Sequence, residues 1–429
     1  MSVGWLTTLG ASAEGTSVGE LELLGVVAML MALALFATSR RTLRLRRSRP
    51  MVVLISGGWL AVGVGVLLGP GLLGIVAAER VQEQLTPALQ AAMGWVGLML
   101  GLQARREVLT GLPRWVWRVV GLDALVVGMV FGVAGILGVW AWIGVWDRGG
   151  VWWGASVLMC ASAGWALETR SLVGTSSPPE LEPARLAVRA GGTLSALVWI
   201  LVLGLLLAFA PRDASGVVVI DPLGGAVRIA GASVAGVLIA FIGRFALRVA
   251  GKAPDARLAI FLGMVALSAG IAGQLGIPAL AVAMTTGVVL ANVTEAGVRE
   301  FERFILRADL VVATLIALLA GLLLSPAIGV RELALGAGLA AVRLVAKPLV
   351  LRCGRPDEAT TGALSIATVR QSPVALAIAL SGLLLEPSEL MARVLSVLVI
   401  SGVLCAMLPA LLSWSDQRSD AQRAVGVDS

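Results

Sequence analysis

The sequence predicts an all-α polytopic membrane protein with about thirteen transmembrane helices. Three observations predict it. The 429-residue chain is 58% hydrophobic and 14% charged, with a mean hydropathy of +0.94, whereas soluble domains are about 45–50% apolar and about 25% charged. Apolar runs long enough for a ~30 Å hydrocarbon core recur along the whole length. The basic residues fall between these runs, concentrated in every second gap.

The spans are expected near 20–38, 51–73, 86–103, 116–142, 152–168, 187–210, 222–243, 257–275, 277–293, 308–325, 332–352, 360–385 and 389–413. Span one closes on Arg40, Arg41, Arg44, Arg46, Arg47 and Arg49, a run that sets topology and meets anionic lipid. Span two is rich in Gly, which lets helices approach closely in lipid. Span three ends on Arg105 and Arg106, with Arg114 beyond; span four carries Asp123 inside an apolar run. Span five closes at Glu168 and Arg170, which read as an interfacial pair, and a polar stretch leads to Arg185 and span six. Asp221 and Pro222 open span seven as an N-cap with Pro at the first helical position, and Arg244, Arg248 and Lys252 close it. Arg299, Arg303 and Arg307 separate spans nine and ten, with Asp309 interfacial beside Arg307. Arg352 and Arg355 close span eleven, and Arg418 and Arg423 lie in the tail. The other gaps hold little beyond Arg80, Arg148, Arg212 and Arg331. Because cytoplasmic loops carry the Lys/Arg excess, the N-terminus is expected outside and the C-terminus in the cytoplasm of a cell-membrane protein.

The net charge of +7 comes mostly from arginine. Its placement between spans argues for topology and against nucleic-acid binding. The chain has no His and no Tyr, and Cys160, Cys353 and Cys405 have no metal-ligand spacing. Metal chemistry, a His-based triad and a disulfide framework are therefore not expected, and neither is an enzyme activity or a cofactor. The first nineteen residues lack a basic segment followed by an apolar core, so no cleavable signal peptide is expected. No connection is long enough for an independent soluble domain.

Three cations stand where a bilayer normally excludes them. Arg343 and Lys347 lie in span eleven, four residues apart on one helix face, and Arg370 lies in span twelve. A charge near the bilayer centre costs about 2.5–3.5 kcal/mol on insertion scales, so such residues mark a transport path or a buried pair. Gln371, Ser372 and Pro373 follow Arg370. Proline removes a backbone donor and clashes with the preceding turn, so a broken helix is expected there, of the kind that lines binding sites in secondary transporters.

The runs LAVGVGVLLGPGLLG, GWVGLMLGLQARREVL and GIPALAVAMTTGVVLANVTEAGVREFERFILRADLVVATLIALLAGLLL resemble the transmembrane domain of monovalent cation:proton antiporters, above all the Kef-type and sodium/proton exchanger-like branch. The resemblance covers nearly the whole chain in order and spacing. It implies two inverted repeats and a homodimer formed through scaffold helices. It also implies a division into scaffold helices one to three (1–115), core helices four to six (116–210), linker and scaffold helices seven to ten (211–330), core helices eleven to thirteen (331–413) and a tail (414–429). Spans five and twelve would be broken and cross at mid-membrane, with half-helix dipoles facing an ion; span five offers Ser156, Cys160, Ser162 and Gly164 there. Protons and monovalent cations are the implied partners, within the lipid bilayer.

The chain departs from the family where exchange is carried out. Members of this kind carry an Asp in the middle of span six, and Gly191, Gly192 or Thr193 stands at that place. In span three, Gln103 and Ala104 replace an acidic position, while the cation of span eleven survives as Arg343 or Lys347. A buried cation needs a partner, and Asp123 is the only acid well inside an apolar helix of the expected core. It reads either as a relocated proton or cation carboxylate and counter-ion of Arg370, Arg343 or Lys347, or as an interfacial acid paired with Arg118. Arg370 reads as a cation neutralising the half-helix ends, as an anion ligand, or as a structural group on freed carbonyls. One of Arg343 and Lys347 is expected to be buried, while Lys347 also suits snorkelling to the interface. Gly192 allows ion approach or close packing. The candidate ion or substrate residues are thus Asp123, Ser162, Gly192, Thr193, Arg343, Lys347, Arg370 and Gln371. The expected function is alternating-access exchange of sodium or potassium for protons. The alternatives are a transport-incompetent homologue serving as a scaffold or regulatory subunit, and an anion or organic-acid carrier on the same fold.

Overall fold

The computed structural model describes residues 58–69, 86–143, 148–164, 182–210, 218–251, 253–293, 311–324, 328–354, 368–371 and 373–426. In chain order the helices are α1 (Trp59–Leu68), α2 (Thr86–Gln103), a short α3 (Arg106–Thr110), α4 (Arg114–Leu122) and α5 (Gly128–Ile143). They continue as α6 (Arg148–Ala163), α7 (Glu182–Phe209), α8 (Pro222–Ala250), α9 (Pro254–Leu275) and α10 (Ala279–Val293). The last four are α11 (Val311–Leu322), α12 (Val330–Gly354), α13 (Pro373–Leu385) and α14 (Glu389–Gly426). Among the described residues six stretches are long and apolar enough to cross a bilayer, and five shorter apolar helices accompany them. The chain is therefore a multi-pass membrane protein. Expected span one lies outside the described residues, as do Glu168, Arg170 and Asp309.

Helix boundaries follow local chemistry. The Asp221 carboxylate accepts from the Gly224 N–H at 2.8 Å and Pro222 takes the first position of α8, as its N-cap reading requires. At the end of α9, Gly276 adopts φ 63°, the left-handed conformation that only Gly takes without strain. The Ile277 N–H then reaches back to the Ala272 carbonyl at 3.1 Å, the bond that closes a Schellman turn. Pro278 follows, and α10 runs back beside α9.

Spans thirteen and four differ from expectation. Span thirteen continues as helix to Gly426, past 413, while the helix of span five ends at Ala163, with 165–168 outside the described residues. Span four is one continuous rod through α4 and α5, but five residues, Asp123–Val127, wind as π-helix between them. Such single-turn widenings often occur at functional positions.

Two helix pairs approach to backbone contact through glycine. An added Cβ at Gly97 of α2 would stand 2.2 Å from the Leu280 carbonyl oxygen of α10, and one at Gly287 of α10 would stand 2.3 Å from that of Leu98. The α1–α11 crossing uses the same device. A Cβ at Gly65 would lie 2.1 Å from the Leu318 oxygen, and one at Gly321 would lie 2.2 Å from the Val62 oxygen. Association in lipid depends on such close packing, because burying apolar surface gains nothing over the lipid tails. A large apolar cluster spans α1, α2 and α4 to α14, and the charged groups described next sit inside it.

Candidate site at the helix crossing

Two interrupted helices bring their C-terminal ends together. The α6 helix ends at Ala163 and Gly164. In span twelve a helical turn at Thr368 and Val369 is lost at Arg370 and Gln371, and α13 begins at Pro373. The RQSP stretch therefore breaks its span, as proline chemistry dictates. The last carbonyls of a helix have no intrahelical donor and carry the negative end of its dipole. In the apolar interior those oxygens must be met by protein.

Arg343 of α12, 1% exposed, meets them. Its Nε donates to the Val369 carbonyl at 2.6 Å, and Nη2 donates to Gly164 at 2.6 Å and to Arg370 at 2.9 Å. The Nη1 nitrogen donates to the Ser162 carbonyl. One planar guanidinium thus ties both helix ends together, using the fork of donors that distinguishes Arg from Lys. The contacts to the half-helix ends, one of the three readings of Arg370 in the sequence, are made by Arg343; Arg370 contributes a carbonyl, and its side chain is half-buried. Each of the three guanidinium nitrogens of Arg343 donates to at least one of these carbonyls.

One helical turn further along α12, Lys347 is 2% exposed and Asp123 is 1% exposed. The Lys347 ammonium donates to Asp123 Oδ1 at 2.6 Å and also to the Ala163 carbonyl. Lys347 therefore does not snorkel, both span-eleven cations are buried, and the partner of Asp123 is Lys347, not Arg118. Ser195 of α7 donates its hydroxyl to Asp123 Oδ2 at 3.4 Å. Asp123 is the first residue of the π-turn, so the widened backbone sits at the pair itself.

The remaining candidates surround this centre. The Gln371 amide donates to the Ala161 carbonyl at 3.3 Å; its oxygen and the Ser162 hydroxyl are buried without a hydrogen-bond partner among the described residues. Thr193 is turned elsewhere, its hydroxyl donating to Gln103 Oε1 of α2 at 3.1 Å. Gly192 is buried in α7. Two contributors escaped the sequence reading. Ser195 lies four residues beyond Gly191, and a hydroxyl on that helical face was the available signal. The Ala163 carbonyl is a backbone group and left none.

The site resolves into an oxygen seat made by Asp123 Oδ1 and the Ala163 carbonyl, occupied by a tethered ammonium. The sequence matches no family model and no curated protein. Among solved structures, the chain resembles the sodium proton antiporter MjNhaP1 from Methanocaldococcus jannaschii at pH 8, with a TM-score of 0.63 and 14% identity, over 91% of this chain and 99% of that one. At that identity what the two chains share is the fold, and this chain therefore has the fold of that antiporter.

Proposed function

We propose that the chain is a secondary active transporter exchanging a monovalent cation, sodium or potassium, for protons by alternating access. The observation that carries this reading is the buried Asp123–Lys347 pair at the crossing of two interrupted helices. A buried ion pair is a weak source of stability, because desolvation offsets attraction, whereas ionisable groups inside a membrane mark ion paths. Asp123 takes the role that the resemblance gives to the missing span-six carboxylate.

The exchange follows from a shared seat. A cation entering from water binds Asp123 Oδ1 and the Ala163 carbonyl and displaces the Lys347 ammonium, which sheds its proton to the same water. On the opposite side, a proton from water restores the ammonium, which reclaims Asp123 and releases the cation. Arg343 holds both half-helix ends in register throughout, so the seat travels as one piece. The paired glycine crossings α1–α11 and α2–α10 support the inverted-repeat arrangement, in which the same contact occurs twice. We extend the reading to a homodimer with its N-terminus outside and C-terminus in the cytoplasm.

The test is a pH-gradient assay in proteoliposomes, adding sodium, potassium and lithium in turn, with Asp123→Asn alongside. Cation-driven collapse of the gradient that the variant loses supports the reading. Unchanged exchange in the variant refutes the role of Asp123. No response to any cation refutes exchange and turns the search to a scaffold function.

A further inference from the structure

A cavity of about 430 Å³ opens between α7, α10 and the junction of α2 with α3. Its wall includes Leu197, Leu201, Met284 and Val288, and its polar members are Arg106 and Asn292. A second cavity of about 120 Å³ shares Leu201 and Met284 and continues along α7 to Leu205 and Ile277. From Leu197 to Leu205 the helix rises about 12 Å, so the two cavities form a largely apolar track leading from the end of α2 into the membrane, with Ser233 and Thr285 in the wall of its far part.

The two polar residues have different standing. The Asn292 amide is spent on the backbone. Its oxygen accepts from the Arg106 N–H at 2.7 Å, and its nitrogen donates to the carbonyls of Ala104 at 3.1 Å and Val288 at 2.7 Å. This clamp holds the α2–α3 junction and places Arg106 at the mouth. The Arg106 side chain is exposed and forms no ion pair among the described residues. The track is also separate from the Asp123 site. Leu197 lies two residues beyond Ser195, where a helix has turned about 200°, and an ion path would not be walled with leucine.

We propose that this track binds one acyl chain of an anionic phospholipid, with the headgroup phosphate on Arg106. An apolar body of this size with one charged group at its entrance has the build of an amphiphile site. The arginine alternation of the sequence assigns this end of the spans to the cytoplasm, where the leaflet is anionic and basic pockets between helices bind acidic headgroups. The guanidinium matches a phosphate with a bidentate fork. A zwitterionic lipid also brings a cation, which Arg106 repels. The site stands on membrane insertion and does not depend on the exchange reading. A chain lodged here lies between α7 and α10, beside the Thr193–Gln103 bond that joins α7 to α2.

The test uses the full chain, delipidated in neutral detergent, with native mass spectrometry against phosphatidylglycerol and phosphatidylcholine of identical acyl chains. Wild type is expected to retain one phosphatidylglycerol in preference to phosphatidylcholine. Arg106→Gln, which removes the charge, should bind phosphatidylglycerol about tenfold more weakly, as loss of one charged hydrogen bond entails, and Leu201→Trp, which fills the track, should also bind it more weakly than wild type. Arg114→Gln, an exposed arginine outside the cavity, should bind as wild type does. Unfolding temperatures of the lipid-free proteins identify any variant that misfolds, and Leu201→Phe then replaces Leu201→Trp. Equal retention of the two lipids by wild type, or undiminished phosphatidylglycerol binding by folded Arg106→Gln, overturns the proposal.

Discussion

A double-mutant cycle on Asp123 and Lys347 tests the centre of the site most directly. At 2.6 Å between Nζ and Oδ1, the Coulomb attraction at an effective dielectric of 20 is about 6 kcal/mol. Desolvation of two ions costs several kcal/mol each, so the pair is close to neutral as a whole while each half depends on the other. Asp123→Leu leaves a buried ammonium that still donates to the Ala163 carbonyl but has lost its counter-charge. Lys347→Met leaves a carboxylate with Ser195 at 3.4 Å. Each single change should cost about 3–5 kcal/mol, and the double variant should cost less than either, because a matched apolar pair often replaces a buried ion pair at no loss. The coupling energy is expected near 3 kcal/mol or above, the upper range for residues in contact. Equilibrium unfolding in mixed micelles reads it. Additive losses would refute the pairing, and a double variant that is stable yet still exchanges cations for protons would remove the pair from the transport mechanism.

The other predictions concern the surroundings of the pair. Arg343→Lys should be markedly less stable than wild type, because a single ammonium with three donors cannot reach carbonyls on both helix ends; a thermal melt equal to that of wild type would show that the guanidinium fork is dispensable. Gly97→Ala should destabilise by about 1–3 kcal/mol through overpacking, since its Cβ would meet the Leu280 carbonyl oxygen at 2.2 Å, and a melt in detergent checks it. Ser195→Ala should lose about 1 kcal/mol of cation binding at Asp123, read as a higher half-saturating cation concentration in the proteoliposome assay. Cys353 is exposed while Cys160 and Cys405 are buried. A membrane-impermeant maleimide should therefore label the protein only after cells are opened, and labelling of intact cells would reverse the topology.

Some properties were legible from the sequence alone because they depend on local chemistry. Apolar run length and arginine placement identify a multi-pass membrane protein, since a bilayer imposes both without reference to tertiary contacts. Pro373 marks the break in span twelve, and Asp221 with Pro222 marks the start of α8, because each acts on its own backbone. Arg343, Lys347, Arg370 and Asp123 were visible as charges inside apolar runs, and three of those four residues, Asp123, Arg343 and Lys347, form the centre of the site.

Their pairing was decided elsewhere. Asp123 and Lys347 are 224 residues apart, and helix period alone allows Asp123 to face Arg118, Arg370 or lipid. The choice between Arg343 and Arg370 as partner of the helix ends rests on where the Ser162, Gly164, Thr368, Val369 and Arg370 carbonyl oxygens converge, and backbone oxygens leave no trace in side-chain identity. The π-turn at Asp123, the hydroxyl of Ser195 and the Ala163 carbonyl are likewise products of packing. Apolar run length marks which charges lie within spans; only the tertiary structure decides which of them are buried and which oxygens meet them, because that depends on how separate helices cross.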